Sequence, residues 1–340
     1  MAGITHLEAF QGPALRALVD ETERDVELNI ADRFLPTEET FSRQFAYDIV
    51  KNNRYIAAYI GYGAEPPVMD RNAVASKMGE IAYFGLKDIV TYEELQAINE
   101  ARNDDEQAAV IEKILIKNID LLDSLRRLMF VAKMEALAKG SHSYNKNNVK
   151  YTFDFGIPAE NKVALTSGND FETPDFDIIG FLLEQVDAYA NANEGKTPDV
   201  MWMSREMNAK LLKNSNIVLE SGRPEGSTRV SQSELRDVLD SFGIPPIQII
   251  SERTTQVKDL YSGELVTIEL LPVNRIVMLS EGIGSYLLGP TLENNFRPGL
   301  FLDAYDKKEP IQSVLRAVGA GFPAPEKPGL IFHIDAYTPA

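Results

Sequence analysis

The sequence predicts an α+β fold, on three observations. A helical pattern runs unbroken from residue 104 to about 139. A block from 174 to about 290 alternates helix and strand signals. Residues 41–90 read as extended, aromatic-rich chain with little local core. The 340 residues suggest two domains at about 150 residues each. A chain of this size buries roughly three quarters of its unfolded surface, so its core needs no covalent staple. None is possible through sulfur, because there is no cysteine. That excludes disulfides, thiolate catalysis, iron–sulfur clusters and cysteine zinc sites.

The long helix carries the strongest local signal. Asn103 or Asp104 can cap it, and Asp104, Asp105 and Glu106 complement the positive end of the helix dipole. Ile111, Leu115, Leu122, Leu125, Met129, Ala132 and Ala136 recur at steps of three, four or seven, and Lys139-Gly140 supplies a stop. At 1.5 Å per residue such a helix is about 54 Å long. It has to lie across something extended or cross between subunits. A clean heptad with charged flanks is not sustained, which argues against a coiled coil.

Upstream, Pro13 opens a helix expected to run to about residue 33, with Leu15, Leu18, Val19, Val26, Ile30 and Phe34 as a rough stripe and Pro36 as its end. Tyr55, Ile56, Tyr59, Ile60 and Tyr62 then make a β-prone run. Gly61, Gly63, Pro66 and Pro67 force a turn, and Ile81-Ala82-Tyr83-Phe84 returns to apolar chain. The pattern is two extended arms joined by a long tip. Bare edges on such an arm invite aggregation, so either another subunit covers it or it folds onto its own domain.

Downstream, residues 141–172 read as irregular, with a strand at Tyr151–Phe155. Thr173-Pro174 opens a helix to about Asn193. Residues 199–203 read as a short buried strand, and Ser204 caps a helix to Lys213. Ser231-Gln232-Ser233-Glu234 is a capping box for a helix that Gly243 ends. Strands are expected at 247–251, 256–260, 265–270 and 275–279, with Ser262-Gly263 as a hairpin turn. The tail carries strands at 311–318 and 330–336 that pair back near the long helix. Gly319 to Pro325 between them reads as a rigid connector.

Signals for chemistry are weak. Ala190 to Thr197 resembles a phosphate loop, but it lacks the first glycine, follows a helix and meets Pro198. Gly282-Ile283-Gly284 follows a strand, yet Leu287 stands at the third glycine position and Pro290 cuts any helix short. His6, His142 and His333 lie in different elements without metal-ligand spacing. Alternation places His333 with Ile331 and Asp335, opposite Leu330, Phe332 and Ile334, as a surface or interface residue. Asp175 and Asp177 sit in a first helical turn, where acids are favoured anyway. No G-x-S-x-G elbow exists. The expectation is a protein that is no enzyme, with no catalytic, cofactor-binding or metal-ligating residues and no cofactor.

The formal net charge is −17. Phosphate binding needs basic patches, so wholesale wrapping of nucleic acid is excluded, and an anionic membrane is disfavoured as partner. No run approaches 18 apolar residues and Met1 to His6 lacks a signal-peptide pattern, so no membrane partner is expected.

The order of these parts resembles the major capsid protein of tailed bacteriophages, the Hong Kong 97 fold, and specifically the lambda-type major capsid protein E family. Ile81 to Thr91 resembles the segment leading out of that family's extended loop. Tyr151 to Gly156 resembles the strand ahead of its axial domain, and Leu271 to Leu279 the strand leaving it. Pro310 to Ser313, Phe322-Pro323 and the run to His333 resemble its terminal strands. The resemblance implies an N-terminal arm at 1–50, an extended loop at 51–90 and a peripheral domain at 91–173 with spine helix 104–139. An axial domain at 174–290 and return strands of the peripheral domain at 291–340 complete it. It implies self-assembly as hexamers and pentamers into an icosahedral shell around double-stranded DNA. It also implies a scaffolding protein, a portal, a possible decoration protein, and location in the virion after assembly in host cytoplasm. The extended loop would cover a neighbour, which makes Tyr55, Tyr59, Tyr62, Pro66, Pro67, Tyr83 and Phe84 the expected inter-subunit contacts. An encapsulin-like shell around cargo enzymes is the alternative within the same fold.

Overall fold

The organising element is a helix of 35 residues. A computed structural model describes residues 3–24, 29–42, 44–50, 73–101, 103–146, 149–224, 226–259, 262–309 and 311–339. In chain order these form α1 (Gly12–Arg24), β1 (Thr37–Glu39), β2 (Gln44–Val50), β3 (Ala73–Glu80), β4 (Ala82–Val90), α2 (Tyr92–Asn99) and α3 (Asp104–Ala138). Then come β5 (Ser141–Lys146), β6 (Val149–Asp154), β7 (Lys162–Ala164), α4 (Ile178–Ala192), β8 (Val200–Met203), α5 (Arg205–Leu211), α6 (Ser215–Glu220) and α7 (Gln232–Ser241). The remainder is β9 (Ile247–Ile249), β10 (Thr254–Lys258), β11 (Leu265–Glu269), β12 (Arg275–Leu279), β13 (Ser285–Leu288), β14 (Phe301–Lys308), β15 (Ile311–Ala324) and β16 (Ile331–Asp335).

Helix α3 matches the expected span. Asn103 caps it by accepting from the Glu106 amide at 2.8 Å. At the other end Gly140, at φ +72°, donates to the Glu135 carbonyl. A left-handed residue there lets the last carbonyls be satisfied.

Contacts divide the chain into two units. The first comprises Met1–Ala46, Met78–Lys133 and Ser285–Ala324. Its sheet is built on β15, which pairs antiparallel with β14, β13 and β4, while β1 adds in parallel to β13. One core fills the space under this sheet. Ile114, Leu122, Leu125 and Met129 of α3 meet Leu15 and Val19 of α1, Leu95 and Ile98 of α2, and Leu302, Leu315 and Ala317 of the sheet. The predicted stripe is on the buried side, with Ile111 and Leu115 half-buried at its margin.

The second unit comprises Tyr47–Lys77, Met134–Gly284 and Pro325–Ala340. Its sheet runs β7-β16-β12-β8-β9. All of β8 and four of five residues of β12 are buried. Strands covered on both faces read as continuous apolar runs, here Val200-Met201-Trp202-Met203 and Ile276-Val277-Met278-Leu279. The capping box at Ser231 and the hairpin β10–β11 form where expected. Two further two-stranded sheets are β2 with β3 and β5 with β6.

Several expectations are corrected. The first helix stops at Arg24 among the described residues, and 29–35 is turn. There Asn29 Oδ1 accepts from the Ala31 amide and Asp32 from the Asn29 amide, which satisfies the backbone without a helix. The helix expected from 174 starts at Ile178, capped by Asp177, which accepts from the Gly180 amide at 2.9 Å. Residues 82–90 form a sheet strand paired with β15 over nine residues. The connector expected at 319–325 is largely strand. Gly319 and Gly321 let side chains lie flat on it, since a Cβ there would sit 2.8 Å from Phe84 Cε2 and 2.5 Å from Tyr286 Cε1. The two tail strands part: β15 belongs to the first unit, and β16 pairs with β12 and β7 in the second.

Candidate assembly surface

Residues 190–197 and 282–284 form a helix end and the approach to a strand. Residues 193–195 terminate α4, with Glu194 and Gly195 at positive φ and the Gly195 amide donating to the Ala190 carbonyl. Gly282-Ile283-Gly284 leads into strand β13 rather than a helix. No group of three or more metal-ligating side chains occurs among the described residues, and no described helix is long and apolar enough to cross a membrane. A groove in the second unit is lined by Lys210, whose ammonium binds Glu172 at 2.7 Å and sits 4.3 Å from the Tyr337 ring centre.

His333 is not a surface residue. It is 3% exposed, and its Nε2 lies 2.8 Å from the Leu137 carbonyl oxygen at the end of α3. Burial, helped by nearby Arg275 and Lys162, drives its pKa down to about 4, so the ring is neutral and donates. Arg275 reaches the next carbonyl, Ala138, at 3.1 Å and forms a forked pair with Asp335. Burial opposes ionisation of Glu135, one turn earlier. Hydrogen bonds from His142 and Lys139 outweigh it and hold that carboxyl below the usual range. His333 and Arg275 thus cap the C-terminal end of α3.

The first unit presents something different. Strand β4 alternates: Phe84 and Leu86 pack on the core, while Tyr83, Gly85, Lys87 and Ile89 are exposed. Tyr83 therefore lies on the exposed face of the strand. Phe84 points inward against Gly319 and is half-buried against the core. Tyr55, Tyr59, Tyr62, Pro66 and Pro67 lie outside the described residues.

Tyr83 is held rather than loose. Its hydroxyl donates to Glu293 at 3.0 Å. Partial burial and the Glu293 carboxylate push its pKa up to about 12. Arg316 grips Asp303 with two hydrogen bonds and reaches Glu293 at 3.5 Å. Glu293 belongs to a loop closed by a bridge between Pro290 and Pro298. Inside it, buried Asn294 donates to the carbonyls of Arg297 and Pro298. Asn295 and Phe296 are both left-handed, at φ +53° and +59°. For Phe this costs about 1–2 kcal/mol. The strained loop offers Leu292 at 64% and Phe296 at 59% exposure. Phe41, 78% exposed, follows Thr40, whose amide bonds Leu288 just before the loop. Sequence reading missed this loop, because left-handed backbone is signalled by glycine and here falls on Asn-Phe.

Tyr83 and the loop at 290–298 thus display large apolar groups on a braced surface. The family model for phage major capsid protein E matches residues 20–295. The chain belongs to the phage major capsid protein E family. It is a capsid shell protein, and its place is the virion capsid. No curated protein matches its sequence. Solved structures agree on a Hong Kong 97-like fold. A protein described as the capsid protein of a prophage of E. coli CFT073 is 12% identical, with TM-score 0.62 over 94% of this chain and 98% of that one. A phage-related protein of Bordetella bronchiseptica RB50 is 13% identical, with TM-score 0.55 over 95% and 97%. A chain of the satellite phage P4 procapsid with its size determination protein is 11% identical, with TM-score 0.50 over 98% and 95%. The family match favours the phage capsid over the encapsulin alternative. Family and fold are structural rather than enzymatic.

Proposed function

We propose that this capsid protein assembles as hexamers and pentamers into an icosahedral shell around double-stranded DNA, with copies joined partly through the rim at Tyr83 and residues 290–298. The observation that carries the reading is the family match over residues 20–295, together with a strained loop spent on displaying Leu292 and Phe296. In this reading residues 1–50 are the N-terminal arm and 51–90 the extended loop. Residues 91–173 and 291–340 make the peripheral domain, and 174–290 the axial domain. Tyr55, Tyr59, Tyr62, Pro66 and Pro67 join Tyr83 in covering a neighbouring copy. Assembly takes place in host cytoplasm with a scaffolding protein and a portal, and a decoration protein can bind outside.

The net charge of −17 suits such a wall, because a lining that repels phosphate leaves packaged DNA free to slide. Electron microscopy of particles from cells producing the full chain with its scaffold tests the proposal. Five- and six-fold capsomers are expected. Closed dimers or other small rings as the terminal assembly would overturn it.

A further inference from the structure

The loop at 290–298 closes mainly on itself. The Phe296 amide donates to the Thr291 carbonyl and the Arg297 amide to the Asn294 carbonyl. The Asn294 amide donates to Thr291 Oγ1 at 3.3 Å, and its side-chain amide to the carbonyls of Arg297 and Pro298. These bonds fix the shape of the loop. They do not fix where it sits on the sheet.

Glu293 makes that second connection. Its Oε1 accepts from the Tyr83 hydroxyl at 3.0 Å and from Arg316 Nη1 at 3.5 Å. Tyr83 stands on β4 and Arg316 on β15, and the two strands pair directly. Arg316 is itself held. It faces Asp303 across the β14–β15 ladder and grips that carboxylate with two bonds, at 3.0 and 2.7 Å. One carboxylate thus fastens the middle of the loop to a sheet position that three strands define. The residues it joins, Tyr83 and Glu293, are 210 apart in sequence. The Glu293 side chain is only 20% exposed, so its charge interactions are partly sheltered from water.

Left-handed backbone at Asn295 and Phe296 persists only where the surroundings over-determine it. A loop already held in place also binds without a further ordering cost. We infer that Glu293 is a positioning residue for assembly: its carboxylate fastens the loop to Tyr83 and Arg316, so that Leu292 and Phe296 have a fixed place before contact. The inference rests on the assembly reading above and adds the residue that sets one of its surfaces.

Two quantities test it: the critical concentration for particle formation by the full chain with its scaffold, and the melting midpoint of the unassembled chain. Glu293→Ala should raise the critical concentration about ten-fold, the usual worth of a hydrogen bond to a charged group. The melting midpoint should stay where it was, because the loop keeps its own closing bonds. Glu293→Gln keeps an acceptor for the Tyr83 hydroxyl and should recover most of the loss. Tyr83→Phe added to Glu293→Ala should cost nothing more, since the acceptor is already gone. A Glu293→Ala chain that assembles at the wild-type concentration would overturn the inference. So would equal impairment in the alanine and glutamine variants. A weaker assembly that merely follows a lower melting midpoint would also overturn it, by making Glu293 a stabiliser of the fold. In each of these cases the wild-type particles leave the assembly reading standing. A wild-type chain that forms no particles would remove that reading and this inference with it.

Discussion

The Lys133 ammonium donates to Asp32 Oδ1 at 2.5 Å and to Thr37 Oγ1 at 2.8 Å while its side chain is only 3% exposed. The Tyr286 ring centre lies 5.3 Å away. This one residue of α3 ties down the turn at 29–35 and the start of β1. Burial pulls the Lys133 pKa down, opposed by Asp32. A buried pair is costly to break, because the abandoned partner stays charged in a poor solvent. Lys133→Met should therefore destabilise the protein by about 3 kcal/mol in chemical denaturation. Adding Asp32→Leu should recover much of the loss. A single variant as stable as wild type would show the pair to be incidental.

His333 predicts a pH dependence with a definite sign. Its folded pKa, about 4, lies below the ordinary 6.5. The folded state thus favours the neutral ring. The associated stability is complete above pH 6.5 and is lost as pH falls from 6.5 toward 4. A gap of this size corresponds to at most about 3 kcal/mol. His333→Gln keeps a donor for the Leu137 carbonyl without the titration, so its denaturation midpoint should vary less between pH 7 and pH 4.5. Parallel profiles for the two proteins would contradict the assignment.

Gly140 and Gly195 separate two costs. Both have positive φ, +72° and +83°. A Cβ on Gly140 would meet Ile157 Cδ1 at 2.6 Å, whereas one on Gly195 meets nothing within 4 Å. Gly195→Ala should cost only the left-handed strain, about 1 kcal/mol. Gly140→Ala should cost about 2–4 kcal/mol, since overpacking adds to strain. Thermal melts of the two variants side by side check the difference.

Phe296→Gly relieves the left-handed strain while deleting an exposed apolar group. Stability of the unassembled protein should hold or rise by up to about 1 kcal/mol. Particle yield should drop. Normal yield with the glycine in place would mean that the ring plays no part in assembly.

Much of the architecture was legible before any coordinates. Helix α3 carries its own cap, stripe and stop, and the buried strands β8 and β12 are unbroken apolar runs. The capping box at Ser231 is a local signal and formed locally. What escaped depends on distant partners. Thr37-Glu38-Glu39 is too short and too acidic to read as a strand, and is one because β13, some 250 residues on, accepts it. His333 was misplaced because alternation assumes one wet face, whereas β16 is buried on both. Tyr83 and Phe84 fall on opposite faces because β4 is a sheet strand, which an aromatic pair in an extended run does not reveal. The rim at 290–298 was invisible, because its strain falls on Asn295 and Phe296 rather than on glycine.

The central claim is that this polypeptide is a shell subunit completed by contacts with copies of itself. Mass measurement of the purified full chain by light scattering, across a concentration series, tests it most directly. The account predicts capsomer-sized and larger species that Tyr83→Lys with Phe296→Gly depletes. A single 37.9 kDa monomer at every concentration, with or without a scaffold, would contradict it.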